Sequence, residues 1–239
     1  MRKVFIIKVG STMPALRSKK GDFEDWILAG LKVGHEAQAV VDVRNGCVLP
    51  GYDEIAGIVI TGSHAMVTEH QAWSERTAVW LAGGVGQGIP ILGICYGHQL
   101  LAYALGGEVG NNPNGWEFGT VEVHLAEKAR QDALLGGFST PIKVQVSHTQ
   151  SVLRLPGQAQ QLAYSARDPN QTFVVGDCVW GVQFHPEFDA EVVRAYIHSY
   201  QEELSGQGQD PADLAATSVE TSYGTEILRR FGAIVQARI

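Results

Sequence analysis

The chain has 239 residues, 45% hydrophobic and 18% charged, with Lys+Arg 18 against Asp+Glu 25 and a formal net charge of −7. This composition can bury a core without disulfides and excludes a disordered chain. The acidic balance, with no basic run beyond Lys19-Lys20, argues against nucleic acid as a partner, and no stretch reaches the roughly 20 apolar residues of a membrane span.

Val4 to Val9 is a β-rich run closed by Gly10, and its brevity and the interruption at Lys8 make it a first strand rather than a signal peptide. Ser11 to Gly21, with Pro14, Arg17, Lys19 and Lys20, is expected to be a solvated loop, with closure over a site as its alternative role. Phe23, Trp26, Ile27 and Leu31 recur at helical spacing up to Gly34. Gln38 to Val43 and Ile55 to Ile60 read as strands, the second running into Thr61-Gly62-Ser63. Gln71 to Ala82 reads as a helix, Ile89 to Ile94 as a strand buried on both faces, and His98 to Leu105 as the next helix. Gly84-Val-Gly86-Gln-Gly88 sits between a helix and a strand, the wrong order for a dinucleotide loop, and reads as a helix stop.

The second half changes period. Val121, Val123 and Leu125 alternate with polar residues, as do Ile142, Val144 and Val146. Thr172 to Val175 and Cys178 to Phe184 flank Gly176-Asp177, a hairpin signal. Phe188, Val192, Tyr196, Ile197 and Tyr200 lie on one helix face, Ser205 to Pro211 reads as a linker, and a helical segment follows with Tyr223, Ile227, Leu228, Phe231 and Ile234. The expectation is an α/β fold with an open mixed, mainly parallel central sheet and helices on both faces. Residues 1–204 form its domain, and 205–239 are a C-terminal linker and helical extension packed on it.

Three cysteines, Cys47, Cys95 and Cys178, are an odd and sparse set that suits a reducing, cytoplasmic setting and at most one reactive thiol. Cys95 ends a buried strand, Gly97 follows two residues later, and a helix starts at once, which has the form of a nucleophile elbow. The helix start favours a thiolate at Cys95, and the Tyr96 amide lies where an oxyanion would form. Taken alone, Cys95 is equally a small buried hydrophobe at a strand end. In Trp180-Gly-Val-Gln-Phe-His185-Pro-Glu187, strand alternation would place His185 and Glu187 on one face. Glu187 would then orient His185, which would take the Cys95 proton. A surface His-Pro-Glu turn is the plain alternative, and the two stretches together outweigh it.

Gly93-Ile-Cys95-Tyr-Gly97-His-Gln99 and Gly181-Val-Gln-Phe-His185-Pro-Glu187 resemble the two signature motifs of class I glutamine amidotransferases. Trp116-Glu117-Phe118-Gly119 is similar to the guanosine monophosphate synthase glutaminase branch. The resemblance covers roughly Ile55 to Phe188 and implies a flavodoxin-like fold and a Cys95-His185-Glu187 glutaminase that needs no cofactor. In that chemistry Cys95 attacks a γ-glutamyl carboxamide, ammonia leaves and water hydrolyses the thioester. The resemblance further implies Tyr96 and Ser63 as oxyanion donors, with Gly62 and Gln99 beside the substrate. Gln99 as a helix-start hydrogen-bonder is the alternative. One departure is visible: Thr61-Gly62-Ser63-His64 stands where the family has a small residue followed by Gly-Gly-Pro. A Cβ at Ser63 would make positive φ less comfortable, and His64 would border the pocket. Ser147-His148 also resembles a pocket-lining stretch of relatives. His35, His70, His124 and His198 have no metal-ligand spacing and read as surface residues.

No P-loop and no Ser-Gly-Gly-x-Asp-type ATP loop accompanies these motifs. The resemblance implies glutamine or another γ-glutamyl compound as substrate, and without an ATP loop two routes stay open. Ammonia passes to a separate synthase subunit, or the protein hydrolyses γ-glutamyl compounds alone. A catalytically silent interaction protein is a third reading, opposed by the intact Cys95, His185 and Glu187.

Overall fold

The computed structural model describes residues 1–239. Eleven strands appear in chain order: β1 (Lys3–Lys8), β2 (Gln38–Asp42), β3 (Ile55–Ile60), β4 (Ile91–Ile94), β5 (Glu108–Asn111), β6 (Glu117–Leu125), β7 (Ile142–His148), β8 (Gln150–Arg154), β9 (Ala159–Tyr164), β10 (Thr172–Val175) and β11 (Val179–Val182). The helices are α1 (Pro14–Lys20), α2 (Phe23–Leu31), α3 (Ala72–Gly86), α4 (Tyr96–Ala104), α5 (Ala190–Ser199), α6 (Gln201–Gly206), α7 (Pro211–Thr217) and α8 (Tyr223–Gln236).

Nine strands make one mixed sheet in the order β2-β1-β3-β4-β11-β10-β9-β6-β7, and β5 and β8 pair separately. From β2 to β11 every neighbour is parallel, and beyond β11 every pair is antiparallel. Strand alternation splits the apolar runs between two cores. Val4, Ile6, Val59, Leu92 and Ile94 face one layer, with α2, α5 and α8. Phe5, Ile7, Ile58, Ile60 and Ile91 face the other, with α3 and α4. This is the expected α/β architecture with helices on both faces.

Several details differ from the sequence reading. Ser11 to Gly21 is not a loop throughout, because Pro14–Lys20 is helical. That helix has proline in its first turn, where the missing N–H costs nothing, and Arg17, Lys19 and Lys20 in its last turn, where they complement the dipole. Leu16 is its only buried residue, so no apolar stripe announces it. The segment is pinned at its ends. The Thr12 N–H donates to Asp22 Oδ1 at 2.7 Å, Thr12 Oγ1 lies 3.0 Å from Tyr196 Oη, and Lys8 Nζ meets Asp22 Oδ2 at 2.7 Å and also pairs with Glu24. The helix stop after α3 falls at Gly88, with φ +66°, since Gly84 and Gly86 are still helical. Of the stretch read as a linker, Ser205 and Gly206 end α6 and Pro211 opens α7. Ile227, Leu228, Phe231 and Val235 of α8 lie in the same core as β1, β3 and β4.

Candidate active site

The fold brings the two motifs together through the neighbouring parallel strands β4 and β11. Parallel strands deliver their C-terminal ends to one edge of the sheet, where α/β folds place ligands. The Cys95 N–H donates to the Val182 carbonyl at 2.9 Å, fixing the end of β4 beside the end of β11. Beyond Val182 the chain leaves the sheet, and the His185 N–H donates to the Gln145 carbonyl of β7 at 2.8 Å.

Cys95 takes φ +50° and ψ −101° at the junction of β4 and α4. A non-glycine residue in that region is strained, and the strain lifts the side chain off the end of the sheet. Two glycines permit the elbow. A Cβ on Gly93 would lie 2.4 Å from the Gly97 carbonyl oxygen, and one on Gly97 would lie 2.6 Å from the Ile60 carbonyl oxygen. The sulfur is 3.9 Å from the Ser147 carbonyl oxygen.

His185 and Glu187 meet, but not as neighbours on one strand face. β11 ends at Val182, Pro186 cannot donate to a ladder, and the pair sits in the following turn. His185 Nδ1 donates to Glu187 Oε1 at 2.8 Å, with side-chain exposures of 4% and 0%. That bond fixes the tautomer and leaves Nε2 for the pocket that Cys95 also lines. Burial disfavours the imidazolium, yet Glu187 and Cys95 together outweigh it and push the ring up to about 10. Phe188 stacks on the imidazole at 3.9 Å between centroids, and Phe23 covers it at 6.1 Å. Neither aromatic had a sequence signal beyond helical spacing.

The remaining candidates fall around one pocket of about 140 Å³ that Cys95 and His185 line. Tyr96 and Ser63 both border it. Tyr96 is the first residue of α4, where backbone N–H groups lack helical acceptors. The Ser63 N–H has no acceptor within the protein, and its Oγ accepts from the Ala65 N–H at 3.1 Å. Ser63 is absent from the positive-φ residues, so the expected conflict between its Cβ and a left-handed backbone does not arise. Gly62 is buried behind the wall, where a Cβ would come within 2.8 Å of His185 Cε1. Gln99 lines the pocket, with Nε2 donating to the Gln150 carbonyl at 2.8 Å and to Gln183 Oε1 at 3.0 Å. Its amide thus bonds to Gln150 and Gln183 rather than to the start of its own helix, the alternative to a place beside the substrate.

His64 borders the pocket as expected, stacked on Tyr196 at 5.7 Å, with Nδ1 2.9 Å from Tyr200 Oη. Burial and the nearby His185 hold its imidazole below the usual histidine range. His148 also lines the pocket, tied to a buried Glu117. His35, His70, His124 and His198 are exposed, and no group of histidine, cysteine and carboxylate side chains has the arrangement to hold a metal ion. No helix is long and apolar enough to cross a membrane.

The family described as glutamine amidotransferase class-I matches residues 43–198. A GMP synthase (glutamine-hydrolyzing) of Aeropyrum pernix is 42% identical over 132 residues, which are 55% of this chain and 24% of the relative. One of the GMP synthase (glutamine-hydrolyzing) subunits of Sulfolobus acidocaldarius is 42% identical over 100 residues, 41% of this chain and 51% of the relative. The chain therefore spans about a quarter to a half of the length of these curated relatives. A crystal structure of a glutamine amidotransferase from Thermotoga maritima superposes with a TM-score of 0.76 at 24% identity, covering 99% of this chain and 100% of that one, which establishes the shared fold. With the family match running through both motifs and the elbow, turn and pocket arranged around them, the chain belongs to the class I glutamine amidotransferases.

Proposed function

We propose that this protein hydrolyses the γ-carboxamide of glutamine through a Cys95 thioester, releasing ammonia and glutamate. The observation that carries the reading is His185 held by Glu187 at 2.8 Å, with its other nitrogen left for the pocket that the strained Cys95 also lines. In this reading the resting state is a thiolate beside an imidazolium. The sulfur adds to the amide carbon, and the oxyanion is met by the N–H groups of Tyr96 and Ser63. His185 gives its proton to the departing nitrogen, the C–N bond breaks and ammonia leaves. The neutral imidazole then takes a proton from water, hydroxide adds to the thioester, and glutamate departs as the thiolate returns. No step in this scheme calls for a cofactor.

The division into subunits named for the Sulfolobus relative favours ammonia transfer to a separate synthase subunit. Hydrolysis of other γ-glutamyl compounds without a partner is the alternative. The test is incubation of the purified protein with glutamine and, separately, a γ-glutamyl dipeptide, with glutamate and ammonia measured. Glutamate and ammonia from glutamine support the reading, and Cys95→Ala should abolish them. Turnover of the dipeptide alone shifts the assignment to a γ-glutamyl hydrolase. A glutamine-like electrophile should label Cys95, and preferential labelling of exposed Cys47 or of Cys178 would overturn the nucleophile.

A further inference from the structure

The pocket has a second imidazole–carboxylate pair that the proposed reaction does not use. β6 and β7 run antiparallel with Glu117 directly opposite His148. His148 Nε2 lies 2.9 Å from Glu117 Oε2, and Nδ1 lies 3.0 Å from the Gln150 carbonyl oxygen. Both partners are acceptors. A carbonyl oxygen can only accept, so Nδ1 must carry a hydrogen. Glu117 accepts from Ser165 Oγ at 2.7 Å on one oxygen and from Gln171 Nε2 at 2.5 Å on the other, which suits a carboxylate, and a carboxylate opposite Nε2 makes that nitrogen the donor. The side chains are 1% and 4% exposed, which shields both bonds from bulk solvent. A ring with both nitrogens donating is an imidazolium.

That ring is also placed to act on the nucleophile. His148 lines the same pocket as Cys95, whereas Glu117 does not. The Cys95 sulfur is 3.9 Å from the carbonyl of Ser147, the residue before it. The positive member of the pair therefore faces the pocket that Cys95 lines, and the negative member does not. We propose that His148 is a fixed imidazolium that stabilises the Cys95 thiolate by charge across the pocket, a positioning residue that exchanges no proton during turnover. This rests on the proposed role of Cys95.

The other charged and titratable groups around His148 do not undo it. Asp168, behind the pair, accepts the Asn170 N–H at 2.8 Å, and burial pushes its carboxyl up, toward the neutral form. His98, on α4, is fully buried and pushed down to about 3, so it stays neutral. Glu117 and Cys95 both favour the charged ring, and the His148 imidazole lies above the usual histidine range despite its burial. On the far wall, His185 contributes the second positive charge facing the sulfur.

The test reads the thiolate without needing turnover. Cys95 alkylation by iodoacetamide is followed against pH in wild type, His148→Gln and Glu117→Gln, with Cys47 and Cys178 replaced by serine in all three. His148→Gln should move the alkylation midpoint up by about one unit, so that Cys95 reacts about tenfold more slowly below both midpoints and at equal rate above them. Glu117→Gln should shift the midpoint the same way and by less. An unchanged midpoint in folded His148→Gln, or a uniform fall in rate at every pH, overturns the proposal. Imidazole nitrogen NMR of the wild type provides a check that needs no variant at position 148. Two protonated nitrogens on His148 at pH 8 are expected, and a neutral tautomer refutes the charge. A protein that shows the alkylation shift but does not hydrolyse glutamine would sink the proposed activity and leave this inference standing.

Discussion

Two buried histidines face one cysteine, and they are wired differently. His185 gives one nitrogen to Glu187 and leaves the other for the pocket that Cys95 lines, which lets it pass a proton back and forth in the proposed reaction. His148 gives one nitrogen to Glu117 and the other to a backbone carbonyl, so it has nowhere to send a proton. Each has a carboxylate within 2.9 Å and each is pushed toward its charged form. In the proposed roles, the difference between a group that transfers protons and one that only presents charge lies in the second ring nitrogen, not in the carboxylate.

The sharpest way to break this comparison is to remove the free nitrogen. His185→Asn keeps a polar group in the turn but abolishes proton transfer, and glutamine hydrolysis should fall by about 10³ or more. A rate near wild type would refute the Cys95-His185-Glu187 assignment.

Next in size is the carboxylate behind His185. Glu187→Gln preserves shape and removes the charge, and the rate should fall by about 10², because the imidazole and thiol remain to react. The pH profile should change more tellingly. In wild type His185 is pushed up to about 10 by Glu187 and Cys95 against its burial, so it remains protonated through neutral pH. In the proposed reaction its proton goes to the leaving nitrogen, so kcat/KM should decline only as pH rises through about 10. With Glu187→Gln the alkaline limb should move down by about 1–3 units. A limb that stays in place would show that Glu187 does not hold the charge on His185.

Much of this site is legible in the sequence because each motif is local. The elbow needs a strand, Cys95, Gly97 and a helix start in immediate succession, and His185-Pro-Glu187 holds its two members within one turn. What puts them together, the parallel pairing of β4 with β11, follows from topology that alternating strands and helices suggest only in outline. The sequence carries the strand before His185 too far, because the apolar pattern continues through Phe184 into a proline-containing turn. The Glu117–His148 pair is hidden for a different reason. Its members are 31 residues apart, and only the register of β6 against β7 makes them neighbours. Both residues stand within stretches recognisable by resemblance, but neither stretch reveals its partner. α1 gives no such signal, since a helix with one buried residue has no apolar period to detect.

A smaller perturbation tests how tightly the His185 ring is placed. Gly62→Ala would put a Cβ 2.8 Å from His185 Cε1, closer than ordinary side-chain contacts allow. The ring is backed by Phe188 at 3.9 Å, so it can yield only by a few tenths of an ångström along the stack. A displacement of that size should cost about tenfold in kcat, with KM little changed, since misplacing a catalytic group by about 1 Å can cost 10²-fold. An unaffected kcat would mean that the ring position tolerates more slack than the packing suggests.

The smallest expected effect is at Ser63. Its N–H has no acceptor in the protein, and its backbone does not occupy the positive-φ region where glycine would be required. If that N–H already serves the oxyanion together with Tyr96, glycine has nothing to add to catalysis. Ser63→Gly should then leave glutamine hydrolysis within about threefold of wild type. Stability should fall by about 1–2 kcal/mol, from the lost bond between Ser63 Oγ and the Ala65 N–H and from the added freedom of the unfolded chain. Steady-state hydrolysis and denaturant unfolding of the two proteins check both parts. The informative failure is a large gain in rate in Ser63→Gly over a nearly inert wild type. That result would mean the peptide before residue 63 must turn before it can donate to the oxyanion and that the serine side chain hinders the turn. Activity would then depend on whatever reorients that peptide, and a docked synthase subunit would become the natural place to look for it.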